Sequence, residues 1–341
     1  MTRSSQIRAF RLTLIAETGD RFSDFTPYVA SVNDAGMVAF QAKLRTGGSG
    51  VFTGDGKTIL AAVDASSEVL GSIDSHPDVN RGGSLAFYAS LRAGGQGVFL
   101  LHGPEPVAIA RDGAQFHTIG PLGPTLNDRA NVAFRANLRS GGSGIFTGTP
   151  ESVAMIAGTG GDFSGFHGLP VINGEGTVAF RADRSGGGQG IYTGTGGPVT
   201  AVAETGDLFS DLGLFPVISE LGSVAFAATL RSGGAGIFAS AAGKIAQLAG
   251  EGDLFESFRG ALVNRSGLVA FYATPRGGQI GVFGGPDPVA DRIISLGDPL
   301  CGSTVTGFAL NPVSVNESAQ VSIRVGLAND RQAILRVDPV R

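Results

Sequence analysis

Three of the four histidines of this chain fall within about ninety residues of one another, in similar surroundings. They are His76 in SHPDV, His117 in FHTI and His167 in FHGL. Neutral imidazole is a common ligand of transition metals, and a site with three protein ligands leaves a position open for water. We therefore treat these histidines as candidate metal ligands or catalytic acid–base groups. The alternative is isolated histidines along a channel or on the surface.

Four acidic residues occupy nearby positions in other parts of the chain. Asp24, Asp74, Asp211 and Glu256 each lie within a few residues of a Phe, Leu or Ile that begins a strand-like segment. A carboxylate in such a place can serve as a further metal ligand or as a general base. Asp24, Asp211 and Glu256 are also candidate binding residues.

Other departures from the local pattern supply the remaining candidates. Tyr28 in TPYVAS adds a phenol, and Arg259 in FESFRG adds a positive charge, so both are candidate binding residues. Cys301 could form a nucleophile pair with a histidine, but a lone cysteine is more often an inert small apolar residue. His102 in LHGPEP is expected on the opposite face from the other histidines.

The elements that position these residues follow from a repeat. The motif NDAGMVAF at 33–40 returns in close copies, and its last residue defines a series of anchors spaced 45–47 residues apart: Phe40, Phe87, Phe134, Phe180, Phe226 and Phe271. A weaker seventh unit places Ile323 at the anchor. A period of this length is typical of propellers and solenoids.

Each unit contains four short segments rich in Val, Ile, Phe and Thr, bounded by Gly, Asn or Pro. This content is that of one propeller blade, and no window has helical spacing of apolar residues. The sequence therefore predicts an all-β, seven-bladed propeller with four antiparallel strands per blade, formed by residues 1–341 as a single domain. The segment FRLTLIAETGD near the N-terminus reads as an outermost strand, so we expect it to complete the last blade and close the ring.

The phase of the blades places the histidines on three consecutive innermost strands or their lead-in segments. They lie 4, 10 and 6 residues before the Asn of their own repeat, so their heights along the channel differ. The candidate acids, Tyr28 and Arg259 fall in the same segments of other blades. The predicted site is therefore the mouth of the central channel.

Two charged positions also recur. An Arg follows the anchors at Arg45, Arg92, Arg139, Arg184, Arg231 and Arg276, and an Asp ends the outer strand at Asp20, Asp112, Asp162, Asp207, Asp253 and Asp298. We expect the two sets to meet on one face as bidentate pairs. They could form a structural ladder around the rim or a ring of arginines that gathers an anionic ligand.

The repeated motif resembles that of the bacterial tandem-repeat proteins with the signature N-x-x-G-x-x-A-F. The resemblance covers essentially the whole chain. It implies a β-propeller and no defined activity, and it implies export or surface anchoring, which this sequence does not signal.

Composition excludes several classes of protein. The net charge of −4 and the absence of a basic tract argue against nucleic acid as a partner. No apolar run reaches the length needed to cross a bilayer, and the N-terminus lacks the apolar segment of a signal peptide. A cytoplasmic location is expected, or a secreted one if a signal has been removed. A monomer is the default.

Two functions remain open at this point. The first is a scaffold that binds a small molecule, glycan or peptide at the channel mouth, without a cofactor. The second is a hydrolase or lyase that uses His76, His117 and His167 with a divalent metal or as acid and base. No motif for a known nucleophile or metal site decides between them.

Overall fold

The computed structural model describes residues 10–64, 67–120, 122–252, 254–263 and 269–340. These residues form strands and no helix, and the strands make seven antiparallel sheets in a ring. The predicted seven-bladed propeller is therefore confirmed. No helix that could span a membrane occurs among the described residues.

The first three blades each place a two-part inner strand against three longer strands. Blade 1 contains β2 (Phe22–Asp24), β3 (Ser31–Val32), β4 (Val38–Leu44), β5 (Ser49–Gly54) and β6 (Ile59–Val63). Blade 2 contains β7 (Leu70–Ile73), β8 (Asp78–Val79), β9 (Leu85–Leu91), β10 (Gln96–Leu101) and β11 (Pro106–Arg111). Blade 3 contains β12 (Phe116–Ile119), β13 (Thr125–Leu126), β14 (Val132–Leu138), β15 (Ser143–Gly148) and β16 (Val153–Gly158).

The next three blades repeat this order, with a continuous inner strand in blades 4 and 6. Blade 4 contains β17 (Phe163–Ile172), β18 (Val178–Arg184), β19 (Gln189–Gly194) and β20 (Thr200–Glu204). Blade 5 contains β21 (Phe209–Leu212), β22 (Val217–Ile218), β23 (Val224–Leu230), β24 (Ala235–Ala241) and β25 (Lys244–Gly250). Blade 6 contains β26 (Phe255–Val263), β27 (Val269–Pro275), β28 (Gly281–Phe283) and β29 (Arg292–Ser295).

Blade 7 closes the ring with strands from both ends of the chain. It contains β30 (Pro299–Leu300), β31 (Ser303–Ala309), β32 (Val321–Leu327), β33 (Gln332–Pro339) and, outermost, β1 (Phe10–Glu17). β1 pairs antiparallel with β33, with Leu12 opposite Val337. The prediction that the N-terminal strand completes the last blade is confirmed.

Aromatic rings fill the space between blades. The anchor Phe40 lies opposite Phe52 on the neighbouring strand, with ring centroids 5.9 Å apart, and Phe22 of the inner strand meets Phe52 edge to face at 4.9 Å. Blades 3, 4, 5 and 6 repeat this three-ring cluster. Such geometry adds to the apolar burial that holds the ring together.

The inner strands are irregular where they face the channel. In blade 1, β2 and β3 pair with opposite ends of β4, and the residues between them leave the ladder. Measured from the first inner-strand residue, the Asn position lies 11 residues further along the chain in blade 1, from Phe22 to Asn33, but 10 in blade 4, from Phe163 to Asn173. The side chains along the channel therefore do not repeat from blade to blade.

Four of the recurring arginines bond the backbone of a crossover turn and not a described member of the recurring aspartates. Arg45 Nη1 donates to the carbonyl oxygen of Gly19 at 3.0 Å, and Arg276 Nη2 donates to that of Gly252 at 2.9 Å. Arg139 and Arg231 bond the carbonyls of the corresponding glycines. The prediction of Arg–Asp pairs was wrong at these positions, because each guanidinium meets the backbone of the crossover turn. Asp253 lies outside the described residues.

Candidate functional site

A cavity of about 360 Å³ lies on the channel side of blades 6 and 7. Its walls come from the inner and second strands of blade 6, and from the end of β31 and the segment that follows it in blade 7. Ile280, just before the third strand of blade 6, and Phe215 of blade 5 complete it. The lining residues are Phe215, Arg259, Gly260, Ala261, Leu262, Ala270, Phe271, Tyr272, Ile280, Phe308, Leu310, Asn311 and Pro312.

Local irregularities open this cavity. The register between β26 and β27 shifts after Arg259, which lies opposite Tyr272, and Gly260 adopts a positive φ of 63° at the shift. Glycine takes this conformation without the penalty that a side chain would bring. In blade 7, β31 ends at Ala309, and a turn closed by a 3.0 Å bond from Ser314 N to Asn311 O brings Asn311 to the wall.

Asn311 presents an unpaired donor. Its Oδ1 accepts the Val313 N–H at 3.0 Å, which fixes the orientation of the amide. Its Nδ2 is buried and has no hydrogen-bond partner among the described residues. An amide nitrogen left in this way costs free energy that a bound acceptor would recover.

Arg259 supplies the charge of the cavity. It is an exposed side chain, and it forms no hydrogen bond or ion pair with the described residues. The described lining contains no Asp or Glu. Of the predicted binding residues, Arg259 is the one that lines this cavity.

Aromatic side chains form one wall. The rings of Tyr272 and Phe308 stack at 5.7 Å with planes 11° apart. The Tyr272 hydroxyl accepts the Leu310 N–H at 2.5 Å and lies 3.2 Å from the Leu310 carbonyl oxygen. Burial raises the pKa of Tyr272, so the hydroxyl is a neutral group already engaged with the backbone.

The three candidate histidines occupy different environments. His76 is buried and packs closely against Gly123 of blade 3. A Cβ added to Gly123 would lie only 2.7 Å from His76 Nε2. Burial lowers the pKa of His76 to about 4, so the ring is neutral at pH 7. His117 is exposed on β12, and His167 is half-exposed on β17. In the described ranges, no three His, Cys, Asp or Glu side chains are placed to hold a metal ion.

His167 nevertheless has an acidic partner. Its Nε2 lies 2.6 Å from Asp183 Oδ2 on the neighbouring strand β18. Arg181, which is almost fully buried, contacts the other oxygen of Asp183 at 3.4 Å. The carboxylate orients the imidazole, as second groups do in acid–base dyads.

The other predicted acidic residues are spread over blades 1, 2, 5 and 6. Asp24 Oδ2 accepts a hydrogen bond from Lys43 Nζ at 2.9 Å. Partial burial would raise the pKa of Asp24. Hydrogen bonds from Lys43, Thr26 and Gln332 outweigh this effect and hold the pKa well below its usual value. Asp74 accepts from Ser72 and Ser90. Asp211 is exposed, and Glu256 accepts the Gly277 N–H at 3.1 Å in a surface hairpin.

The remaining predicted residues contribute less to a common site. Tyr28 is half-buried, and burial together with the charge of Asp74 raises its pKa. Cys301 packs partly against the core of blade 7, and burial raises its pKa, which favours the inert thiol. His102 lies beside Ser84 at 2.7 Å, at the end of the blade with the Asn-x-x-Gly turns.

A second cavity, of about 140 Å³, lies at the channel end formed by these turns. Here the Asn of each turn reaches the next blade: Asn33 Nδ2 donates to Asn80 O at 3.0 Å, Asn80 to Asn127 O at 3.2 Å, and Asn127 to Asn173 O at 3.0 Å. Asn173 and Asn316 continue the series. We call these five residues the Asn ring. The sequence pattern identified this Asn only as a boundary of the strand segments and did not predict its bond between blades.

The Asn ring surrounds one buried acid. Asp78 accepts the Leu126 N–H of the next blade at 2.6 Å and the Val79 N–H at 2.8 Å. Burial raises the pKa of Asp78 to about 7. The corresponding residues of blades 1 and 3 are Ser31 and Thr125, so the acid is peculiar to blade 2 among these three.

Solved structures with similar folds include enzymes. An oligogalacturonate lyase in complex with manganese is 10% identical with a TM-score of 0.60, over 97% of this chain and 98% of the other. An oligogalacturonate lyase from Vibrio parahaemolyticus is 11% identical with a TM-score of 0.56, over 96% and 98%. A prolyl endopeptidase is 11% identical with a TM-score of 0.53, over 96% of this chain and 50% of the other. At these identities the likeness shows the fold alone.

No curated protein sequence matches the chain. The model of one family, described as a family of unknown function, matches residues 6–214. The resemblance to the N-x-x-G-x-x-A-F tandem-repeat proteins stays a prediction. The chain belongs to the DUF7453 family of unknown function.

Proposed function

We propose that the protein binds a small molecule in the cavity between blades 6 and 7. The observation that carries this proposal is the unpaired Nδ2 of Asn311, a donor held in a mostly apolar cavity by a bond to the other end of its amide. Leaving a buried donor without a partner costs about 1–3 kcal/mol. A ligand that supplies an acceptor removes this cost.

The size and composition of the cavity favour a small molecule over a peptide or a glycan. Its volume of about 360 Å³ lies at the lower end of the range for ligand sites, about 300–1,000 Å³. Apolar and aromatic side chains dominate its lining, with a few polar groups to fix orientation. This is the usual balance of a small-molecule site.

Ligand-observed NMR with a library of small compounds tests the proposal. Compounds that bind the wild-type protein should lose their signal with Ile280→Trp, because the indole occupies cavity volume. Leu221→Trp is the matched control, since Leu221 is 77% exposed and lies outside the lining. Binding that persists in Ile280→Trp, or a library without any binder, contradicts the proposal.

A second candidate function rests on the His167–Asp183 pair. The pair would let the free Nδ1 of His167 act as a general base at the channel, in a lyase or hydrolase. No group of three His, Cys, Asp or Glu among the described side chains could hold a divalent metal such as the manganese of the similar lyase. The proposed proton transfer therefore relies on the His167–Asp183 pair. Turnover of oligosaccharide or ester substrates that disappears in His167→Ala, but not in His117→Ala, would support this function. Equal turnover in both variants would exclude it.

A further inference from the structure

Two side chains of the described lining have unpaired polar atoms in the cavity between blades 6 and 7, and both are donors. Arg259 carries a guanidinium with no partner among the described residues, and Asn311 Nδ2 is buried without one. Asn311 Oδ1 is occupied by Val313 N, so the amide cannot act as an acceptor without losing that bond. The Tyr272 hydroxyl is engaged with the backbone of Leu310. The polar end of a ligand here must therefore supply acceptors.

The charge of the cavity also favours a ligand whose polar end supplies acceptors. Arg259 is positive, and the described lining has no carboxylate to neutralise it. Arg324 of blade 7, whose Nε donates to the Tyr28 carbonyl oxygen, also acts electrostatically on Tyr272, where its positive charge lowers the pKa that burial raises. A cationic ligand would be repelled. A ligand rich in hydroxyls would also need free side-chain acceptors, which the described lining does not offer.

The rest of the lining determines the chemistry of the remaining part of the ligand, which we call its body. Phe215, Leu262, Phe308 and Pro312 present apolar surface to the cavity. Burying apolar area contributes about 25 cal/mol per Å², whereas a polar group placed there without a partner is penalised. A compact apolar or aromatic body fits these walls.

We propose that the ligand is a small carboxylate with an apolar body, held by Arg259 and Asn311 Nδ2 at its carboxylate end. This inference rests on the proposed function and specifies its substrate class. A carboxylate offers two oxygens that accept only, which matches one guanidinium and one amide donor. Its charge is compensated by Arg259, so its transfer into a largely apolar cavity is not opposed by an unpaired charge.

The test compares acids with their own amides. Isothermal titration would measure butanoate, hexanoate, benzoate and phenylacetate against the corresponding primary amides, which share the body and lack the charge. We expect at least one acid to bind, with an affinity about tenfold or more above that of its amide, since charge-assisted hydrogen bonds are roughly twice as strong as neutral ones.

Two variants locate the carboxylate. Asn311→Asp keeps the oxygen that accepts from Val313 N but replaces the donor by a negative oxygen, so acid binding should fall by about tenfold or more. Arg259→Gln should lower the affinity for the acid towards that for its amide. Asn329→Asp adds the same charge in an exposed turn and Arg45→Gln removes a guanidinium in blade 1, so both controls should bind as the wild type does.

The outcomes separate the inference from the proposed function. Acids and amides that bind equally, and are both lost in Ile280→Trp, leave the small-molecule site intact and overturn the carboxylate. Acid binding unaffected by Asn311→Asp and Arg259→Gln also overturns it. If none of the eight compounds binds while neutral library compounds do, the carboxylate inference fails alone. If nothing binds, both fail.

Discussion

The Asn ring predicts a specific loss of stability when one of its members is truncated. Asn127 is 4% exposed and makes three hydrogen bonds: Nδ2 to Asn173 O at 3.0 Å, and Oδ1 from Arg129 N at 3.0 Å and from Asn131 N at 2.9 Å. Two of these bonds hold the turn of blade 3, and the third ties blade 3 to blade 4. Asn127→Ala removes all three.

The magnitude follows from these bonds. Each typical hydrogen bond contributes about 1 kcal/mol, so Asn127→Ala should lower the free energy of unfolding by about 3 kcal/mol. The entropy of unfolding is about 2.1 cal/mol/K per residue, or ~0.7 kcal/mol/K for a chain of 341 residues. The melting temperature should therefore fall by about 4 °C.

Blade 5 supplies a matched variant. Ser219 stands at this position there, and its Oγ accepts the Ser223 N–H at 3.1 Å. Asn127→Ser should keep one bond of the turn and lose the bond to blade 4, which gives a loss of about 2 kcal/mol. Thermal melts and urea titrations followed by far-UV circular dichroism measure both variants, since the chain has no Trp. A loss below about 1 kcal/mol for Asn127→Ala, or equal losses for the two variants, would refute the reasoning.

Three further variants test other contacts. Gly168→Ala should destabilise the protein by more than about 2 kcal/mol, since φ is +67° and the new Cβ would lie 1.6 Å from Leu214 O; a thermal melt like that of the wild type would contradict this. The lowered pKa of Asp24 gives stability that is present above pH about 4 and lost on further acidification. The free energy of unfolding of Asp24→Asn should therefore fall less steeply than that of the wild type as the pH is lowered below about 4. The same dependence on pH in both proteins would count against this. The raised pKa of Asp78 gives stability that is present below pH 3.8 and lost as pH rises through about 7. The free energy of unfolding of the wild type should therefore fall relative to that of Asp78→Asn between pH 4 and 8. Urea titrations that give the same difference in free energy at every pH would contradict this.

The repeat made the architecture predictable. The regular return of the anchor Phe and the outer-strand character of the N-terminal segment were sufficient to predict seven blades and the closure of the last one by β1. Both are properties of strands whose apolar residues recur with a fixed period. Periodic information of this kind survives in the sequence because every blade must pack against two similar neighbours.

The site was less predictable because it lies where the repeat fails. The inner strands differ in length and register, so residues that look equivalent in sequence, such as His76, His117 and His167, point into different surroundings. Arg259 was identified as a departure from its sister blades. Asn311 was not, because its unpaired amide depends on the turn after β31 and on the bond from Val313, neither of which has a sequence signature.

The recurring arginines show a different limit. Their spacing predicts a meeting with the crossover turn, and Arg45 does meet it, but the acceptor is the carbonyl oxygen of Gly19 and not the neighbouring Asp20. Side-chain and backbone acceptors that are one residue apart cannot be distinguished by spacing. Geometry at the level of single atoms decides between them.

A crystal structure of the protein soaked with benzoate tests the central claim most directly. We predict benzoate in the cavity between blades 6 and 7, with its carboxylate within hydrogen-bonding distance of Asn311 Nδ2 and Arg259 and its ring against Phe215 and Phe308. Benzoate bound only at another site, or a cavity filled by protein side chains, would contradict the claim.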